Sequence, residues 1–184
     1  EYHDHKSHTI WVPFKVVEMS GSLDPLETVQ WDSEEARLQA ARLLNAKVVI
    51  WTTTPWTIPS NKAVAYSKDI AYGLYEITGR PEECWARIGD YYILADKLAE
   101  EMLSKARLEP SMYRRLNDVT ADELGAMTLA HPFRGLDGAD GFWDYDVPMI
   151  DGDHVTDDAG TGFVHTAPSH GQEDYEAFVA RGWM

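Results

Sequence analysis

Between His8 and Val17 the chain reads HTIWVPFKVV, a run of β-branched and aromatic residues that predicts a strand. The period then changes. In SEEARLQAARLLN, Ala36, Leu38, Ala40, Ala41, Leu43 and Leu44 fall on one stripe of a helix, with Asp32 placed to cap it and Glu35 in the capping-box position. Lys47–Thr53 (KVVIWTT) is a short apolar run and predicts a buried strand. Further strands are expected at Ala63–Tyr66, Tyr72–Thr78, Trp85–Ile88 and Tyr91–Leu94, with turns at Gly79-Arg80-Pro81 and Gly89-Asp90. Ala95–Ala106 reads as a helix, and Thr120–Gly125 as a short one opened by a capping box of Thr120 and Glu123. Residues 134–146 read as a loop. Val147–Ile150 and Gly162–Thr166 add late strands, and a last helix over Gln172–Arg181 is stopped by Gly182.

Strands outnumber helices, and most connections are too short for helical crossovers. The expected fold is therefore α+β and mainly β: a distorted β-barrel of mixed or antiparallel strands with peripheral helices. A doubly wound parallel sheet is disfavoured because strand–helix alternation is missing from residues 47 to 94. With 184 residues, the chain fits a single domain, 1–184, large enough for a substantial core. Lys and Arg number 16 against 31 Asp and Glu, a net charge of −15, which excludes a free-standing protein that grips nucleic acid by its phosphates. Any such contact has to be small and local, or helped from elsewhere. Cys84 is the one cysteine, so an intramolecular disulfide and a multi-cysteine zinc site are excluded and a reducing, cytoplasmic setting is expected. No apolar run reaches the roughly 18 residues of a membrane span, and the opening Glu1-Tyr2-His3-Asp4-His5-Lys6 is polar, unlike a signal peptide. A start at Glu1 and a stop at Gly182-Trp183-Met184 lead us to expect a piece of a longer protein.

Three segments carry candidate chemistry. In Trp51-Thr52-Thr53-Thr54-Pro55-Trp56-Thr57-Ile58-Pro59-Ser60-Asn61, prolines stiffen a loop after an apolar strand while hydroxyls offer donors and acceptors but no strong base. That set suits a neutral polar ligand such as a ribose or an ester, or else simply satisfies the backbone at a strand end. Asp157-Asp158-Ala159-Gly160-Thr161-Gly162 has the glycines of a nucleotide loop, but it lacks the Gly-Lys-Ser/Thr ending, has His165 where a dinucleotide fingerprint needs glycine, and leads into a strand; a tight turn is expected. In His165-Thr166-Ala167-Pro168-Ser169-His170-Gly171-Gln172-Glu173-Asp174-Tyr175 a strand gives way to a helix, the kind of junction that presents side chains to a cleft. His165, His170 and Asp174, with His154, leave a metal or a His–Asp pair open, although the spacing matches no standard zinc pattern; Asp174 is also what a helix N-terminus favours electrostatically. His3, His5 and His8 are expected in a solvated N-terminal segment.

The first and third segments together resemble the editing domain inserted into class I aminoacyl-tRNA synthetases, WTTTPWTIPSN its threonine-rich peptide and DAGTGFVHTAPSHGQEDY its second signature. The variant is similar to that of isoleucyl-tRNA synthetases: the valyl and leucyl relatives typically carry Thr-Thr-Arg-Pro, where this chain has Thr54, and Trp56 follows Pro55. His131–Gly135 (HPFRG) and Asp151–Thr156 (DGDHVT) extend the resemblance over nearly the whole chain. It implies a barrel-like domain inserted in a catalytic core, ends close together, without the signature motifs of amino-acid activation. It implies hydrolysis of valyl-tRNA(Ile), post-transfer, with isoleucine excluded. The need is physical, since one methylene is worth about 1–3 kcal/mol, or roughly 10–200-fold, a range in which isoleucyl-tRNA synthetases are themselves a standard instance.

Site roles follow from the resemblance alone. Asp174 matches the aspartate that receives the α-ammonium; Thr52, Thr53 and Thr54 match the threonines around the ester and terminal ribose; Thr57 and Asn61 match further positions of the peptide that affect editing; His165 matches the residue bordering the amino-acid side chain. Glu173 stands where aspartate is often found and receives no role. The expected mechanism is positioning of a water and of the developing oxyanion by hydroxyl and backbone groups, with His165 as general base the rival scheme. No metal and no cofactor is expected in the domain. The expected partners are the 3′ end of tRNA(Ile) carrying valine and the catalytic core of the same chain, in a monomer with no membrane contact. The alternatives are an acidic insertion module without hydrolysis, a threonyl-editing domain like that of the valyl relative, and a metal-dependent hydrolase using His165, His170 and Asp174.

Overall fold

The computed structural model describes residues 9–20 and 33–183; Asp32 and the histidines at 3, 5 and 8 lie outside them. The elements run β1 (Ile10–Met19), α1 (Glu34–Leu43), β2 (Ala46–Thr52), a 3₁₀ turn (Pro55–Ser60), β3 (Ala63–Tyr66), β4 (Tyr72–Ile77), β5 (Tyr91–Ala95), α2 (Asp96–Lys105), a second 3₁₀ turn (Pro110–Met112), β6 (Tyr113–Val119), α3 (Ala121–Ala126), β7 (Met127–Ala130), β8 (Asp146–Asp151), β9 (Val164–Thr166) and α4 (Gln172–Val179). The strands form one mixed sheet in the order β6-β4-β5-β2-β1-β7-β8-β3-β9. Its ladders are antiparallel except β2 with β5 and β3 with β8. The sheet curls until β9 rests against β2, but no ladder joins those strands among the described residues, so the barrel is distorted and not closed. A bulge between Val16 and Glu18, where β1 passes from β2 to β7, marks a bend in the curl.

The inside of the curl is filled by Phe14, Val48, Ile50, Leu74, Ile93, Leu129 and Val147, none of which has any exposed surface. A second cluster, Tyr92, Leu94, Met102 and Leu103 among others, packs α2 on the opposite face. This explains why β2 and β5 read as unbroken apolar runs: both faces are covered.

Helix boundaries follow local chemistry. Ser33, with its hydroxyl accepting from Ala36 N, is the observed cap of α1. Thr120 and Glu123 make the expected capping box on α3. Thr120→Ala should cost about 1 kcal/mol and lower Tm by roughly 2–4 °C in a chain of this size; an unchanged thermal transition would show that α3 is held by packing alone. Gly182, at φ +70°, ends the last helix as expected, with Trp183 N donating to Phe178 O.

Two differences from the sequence reading are instructive. Trp85–Ile88 is not a strand. Arg87 N donates to the Asp90 carboxylate and Asp90 N to Arg87 O, so the segment folds into the turn between β4 and β5, and Trp85 stands edge-on against Tyr92. Two strands were not anticipated, β6 and β7. β6 is a charged edge strand whose Arg114 and Arg115 reach Glu76 and Asp96, a pattern without apolar alternation.

Candidate functional site

The threonine-rich segment follows directly from β2. Pro55 opens the 3₁₀ turn, where its missing N–H is no loss, and Pro59 lies within it. The turn folds the hydroxyls together: Thr52 Oγ1 accepts from Thr54 N at 3.0 Å and lies 3.2 Å from Thr54 Oγ1, and Thr57 Oγ1 donates to Thr54 O at 2.8 Å. Thr52 and Thr57 are buried, while Thr53 and Thr54 are exposed.

The second signature arrives through β9, which pairs with β3 and so places His165 opposite Val64, beside the turn. The Asp157–Gly162 segment is a tight turn as expected and is braced from behind. Gly162, at φ +79°, accepts from the Tyr72 hydroxyl at its carbonyl at 2.7 Å, and a Cβ there would lie 2.3 Å from the Ala95 Cβ, so only glycine fits. The chain then turns into α4. Asp174, in the first turn, swings back so that its Oδ2 accepts from Ala167 N at 2.7 Å. Ala167 is almost wholly buried, so this bond satisfies an amide that water does not reach.

The outcome is one pocket of about 250 Å³ lined by Trp51, Thr52, Thr53, Thr54, Thr57, His165, Ala167, His170 and Asp174. Six of the seven expected site residues face it. Asn61 does not; it lies behind the wall, fully buried, with its Nδ2 2.7 Å from His165 Nδ1. His165 Nε2 is 2.9 Å from Thr57 Oγ1. Burial, reinforced by repulsion from His131 and His170, pushes the His165 ring down to about pKa 4, so it is neutral at pH 7. His154, proposed as a further metal ligand, lies in a different depression with Lys68, Asp151 and Glu176. Among the described residues no three His, Cys, Asp or Glu side chains converge as a metal site requires.

Sequence reading missed the residues that hold the 3₁₀ turn in place. His131 Nε2 bonds Ile58 O at 3.0 Å, Trp143 Nε1 donates to Pro59 O at 2.9 Å, and the Tyr145 hydroxyl donates to Asn61 O at 2.6 Å. The rings also pack on one another, His131 stacking on Trp143 and tilting against Tyr145. Thus the 134–146 loop, irregular as expected, clamps two carbonyls of the threonine-rich segment, and His131, just ahead of it, clamps a third. Burial holds His131 below its ordinary pKa.

Beside the pocket runs a larger groove of about 820 Å³, lined by Pro59, Lys62, Phe142, Pro168, Tyr175 and Trp183 among others. Phe142, Tyr175 and Trp183 keep roughly half or more of their surface exposed. Among the described residues no helix is long and apolar enough to cross a membrane.

No family model matches the chain. Curated proteins do. It is 54% identical over 184 residues, its full length, to the isoleucine--tRNA ligase of Ruegeria pomeroyi, of which it spans 17%. It is 49% identical over 180 residues to that of Brucella abortus, of which it spans 16%. The chain thus spans about a sixth of the length of the curated relatives it matches. Its fold is similar to the editing domains of the cytosolic leucyl-tRNA synthetases of P. falciparum (TM-score 0.56, 12% identical, 94% of this chain and 67% of that one) and P. knowlesi (TM-score 0.58, 11% identical, 97% and 66%).

Proposed function

We propose, of a chain related along its whole length to a segment of isoleucine--tRNA ligases and folded like a synthetase editing domain, that it hydrolyses the ester of valine misattached to tRNA(Ile) and excludes isoleucine. The observation that carries this reading is the pocket itself, in which four threonines, His165 and Asp174 meet from segments far apart in sequence. Its chemistry suits an aminoacyl ester. Asp174 offers a carboxylate to the α-ammonium at the mouth of α4, where the helix terminus favours negative charge. Thr52, Thr53 and Thr54 offer hydroxyls to the ester and the terminal ribose, and Thr57 and His165 wall off the amino-acid side chain. Aminoacyl esters are already activated, so a water held by hydroxyl and backbone groups, and donors aimed at the developing oxyanion, are sufficient machinery.

The groove alongside suits a single-stranded RNA end. Exposed aromatic faces accept bases by stacking, each worth about 1–3 kcal/mol. With a net charge of −15, the chain has little means of holding a tRNA body, so the phosphate grip and the aminoacylation chemistry are assigned to the remainder of a longer synthetase. The reading calls for no metal or cofactor.

The test is a pair of NMR titrations with non-hydrolysable valyl- and isoleucyl-adenosine analogues. The valyl analogue should shift Thr52–Asn61 and Asp174, and the isoleucyl analogue should bind at least about tenfold more weakly, as one excluded methylene requires. Equal affinities would overturn the sieve, and no binding by either would overturn the assignment. Hydrolysis of Val-tRNA(Ile) should persist after exhaustive chelation.

A further inference from the structure

Asn61 has no surface at all, yet it is the one expected site residue that does not face the pocket. Its backbone is pinned at both polar atoms: N donates to Ile58 O at 3.0 Å and O accepts from the Tyr145 hydroxyl at 2.6 Å. Its side-chain nitrogen lies 2.8 Å from Ala63 O and 2.7 Å from His165 Nδ1. A carbonyl oxygen only accepts, so the Ala63 carbonyl fixes which end of the amide is nitrogen. That nitrogen has two hydrogens. One goes to Ala63 O, and the other points at His165 Nδ1, which must therefore present a lone pair. The ring proton is then on Nε2, 2.9 Å from Thr57 Oγ1. Thr57 accepts it and donates its own hydroxyl proton to Thr54 O at 2.8 Å.

Every proton in this chain of contacts has one acceptor, and each link supports the next. The opposite tautomer would set an N–H of His165 against an N–H of Asn61. It would also draw the Thr57 proton away from the Thr54 carbonyl. The amide keeps its orientation even though its Oδ1 is buried without a hydrogen-bond partner among the described residues, a disposition that ordinarily costs stability.

We infer that Asn61 is a positioning residue that locks His165 in the neutral Nε2–H tautomer and makes the ring a fixed strut between β9 and the threonine-rich segment. Both ring nitrogens are committed within the protein, so neither has a lone pair to offer a water in the pocket. Purpose in the site rests on the editing reading above; the tautomer rests on the bonds alone. The titratable groups around the ring agree with it. His131 and His170 repel a second proton, and Asp174, the one carboxylate lining the pocket among the described residues, is bonded to Ala167 N.

The experiment is long-range ¹H–¹⁵N NMR on the ¹⁵N-labelled chain without substrate, with the His165 signals assigned by their loss in His165→Gln. The unsubstituted chain should show the Nε2–H pattern at pH 7 and no ring protonation down to pH 5. A scalar coupling across the bond should link Asn61 Nδ2 to His165 Nδ1. Asn61→Ala should give mixed tautomers and a higher titration midpoint. Asn61→Asp, nearly isosteric, should move the proton to Nδ1. An Nδ1–H pattern in the unsubstituted chain, a missing coupling, or an unchanged tautomer and midpoint in both variants would overturn the inference. If either variant fails to fold, the coupling in the unsubstituted chain decides. Because no substrate is used, a chain that shows the tautomer but hydrolyses nothing refutes the editing reading and leaves this inference standing.

Discussion

Asp174→Asn should slow hydrolysis of the valyl ester by roughly 30-fold or more while leaving the fold intact. Removing one partner of a close, desolvated charge pair costs about 2–5 kcal/mol, and each 1.4 kcal/mol is about tenfold. The side-chain amide keeps an oxygen where Oδ2 accepts from Ala167 N, so the anchor at the start of α4 survives while the charge is lost. Asp174→Ala removes both. It strands the Ala167 amide, buried among β9 and the turn, and should therefore lose stability as well, by about 1–3 kcal/mol. The two variants separate electrostatics from architecture. A third arm isolates the ammonium: an ester of the corresponding α-hydroxy acid lacks that group, so Asp174→Asn should leave its slower hydrolysis nearly unchanged. Single-turnover deacylation assays check all three. If Asp174→Asn processed the valyl ester at the unsubstituted rate, the carboxylate would have no part in holding the substrate.

The two segments that line the candidate pocket were legible in the sequence because each is local. Thr52, Thr53, Thr54 and Thr57 sit within one stiffened turn, and His165 and Asp174 flank one strand-to-helix junction; residue type and spacing announce both segments. What joins them was not legible. β3 and β9 meet in a ladder between residues 63–65 and 164–166, and nothing in either segment names the other. The aromatic clamp is hidden for the same reason. His131, Trp143 and Tyr145 bond carbonyls 73 to 84 residues earlier, and a backbone carbonyl has no sequence signature. Trp85–Ile88 shows the opposite failure. Its composition favours a strand, but Gly89 N bonding Ile77 O closes the β4–β5 connection and leaves the segment outside the ladder. Incomplete closure of the sheet is likewise a property of strand order rather than of any strand.

His165 should make the fold sensitive to mild acid and leave the reaction insensitive to it near neutrality. In the unfolded chain the ring titrates near its ordinary 6.5; in the fold burial holds it down to about 4. Between those values the unfolded state carries a proton that the native state refuses. The stability contributed by the neutral ring is thus complete above pH 6.5 and is lost as the pH falls through 6.5 toward 4. At 1.36 kcal/mol per pK unit the loss approaches about 3 kcal/mol, and below pH 4 it flattens because both states are protonated. Urea denaturation at stepped pH should show this, and His165→Gln, which has nothing to protonate there, should lose correspondingly less over the same interval. His131, also held below its usual value, adds a slope of the same sign that both proteins share. Parallel stability curves for the two would mean that His165 titrates alike in both states. The same ring predicts the rate profile. A base with a pKa near 4, its Nδ1 lone pair facing Asn61 and its Nε2 proton facing Thr57, gives no inflection between pH 6 and 8. A His165 base with that pKa would also leave this range level, so the profile is read together with a substitution: deacylation that persists in His165→Gln excludes the ring as the base. A level rate across that range that persists in His165→Gln, while stability falls on its acid side in the unsubstituted chain, separates a ring that shapes the pocket from one that takes a proton from water.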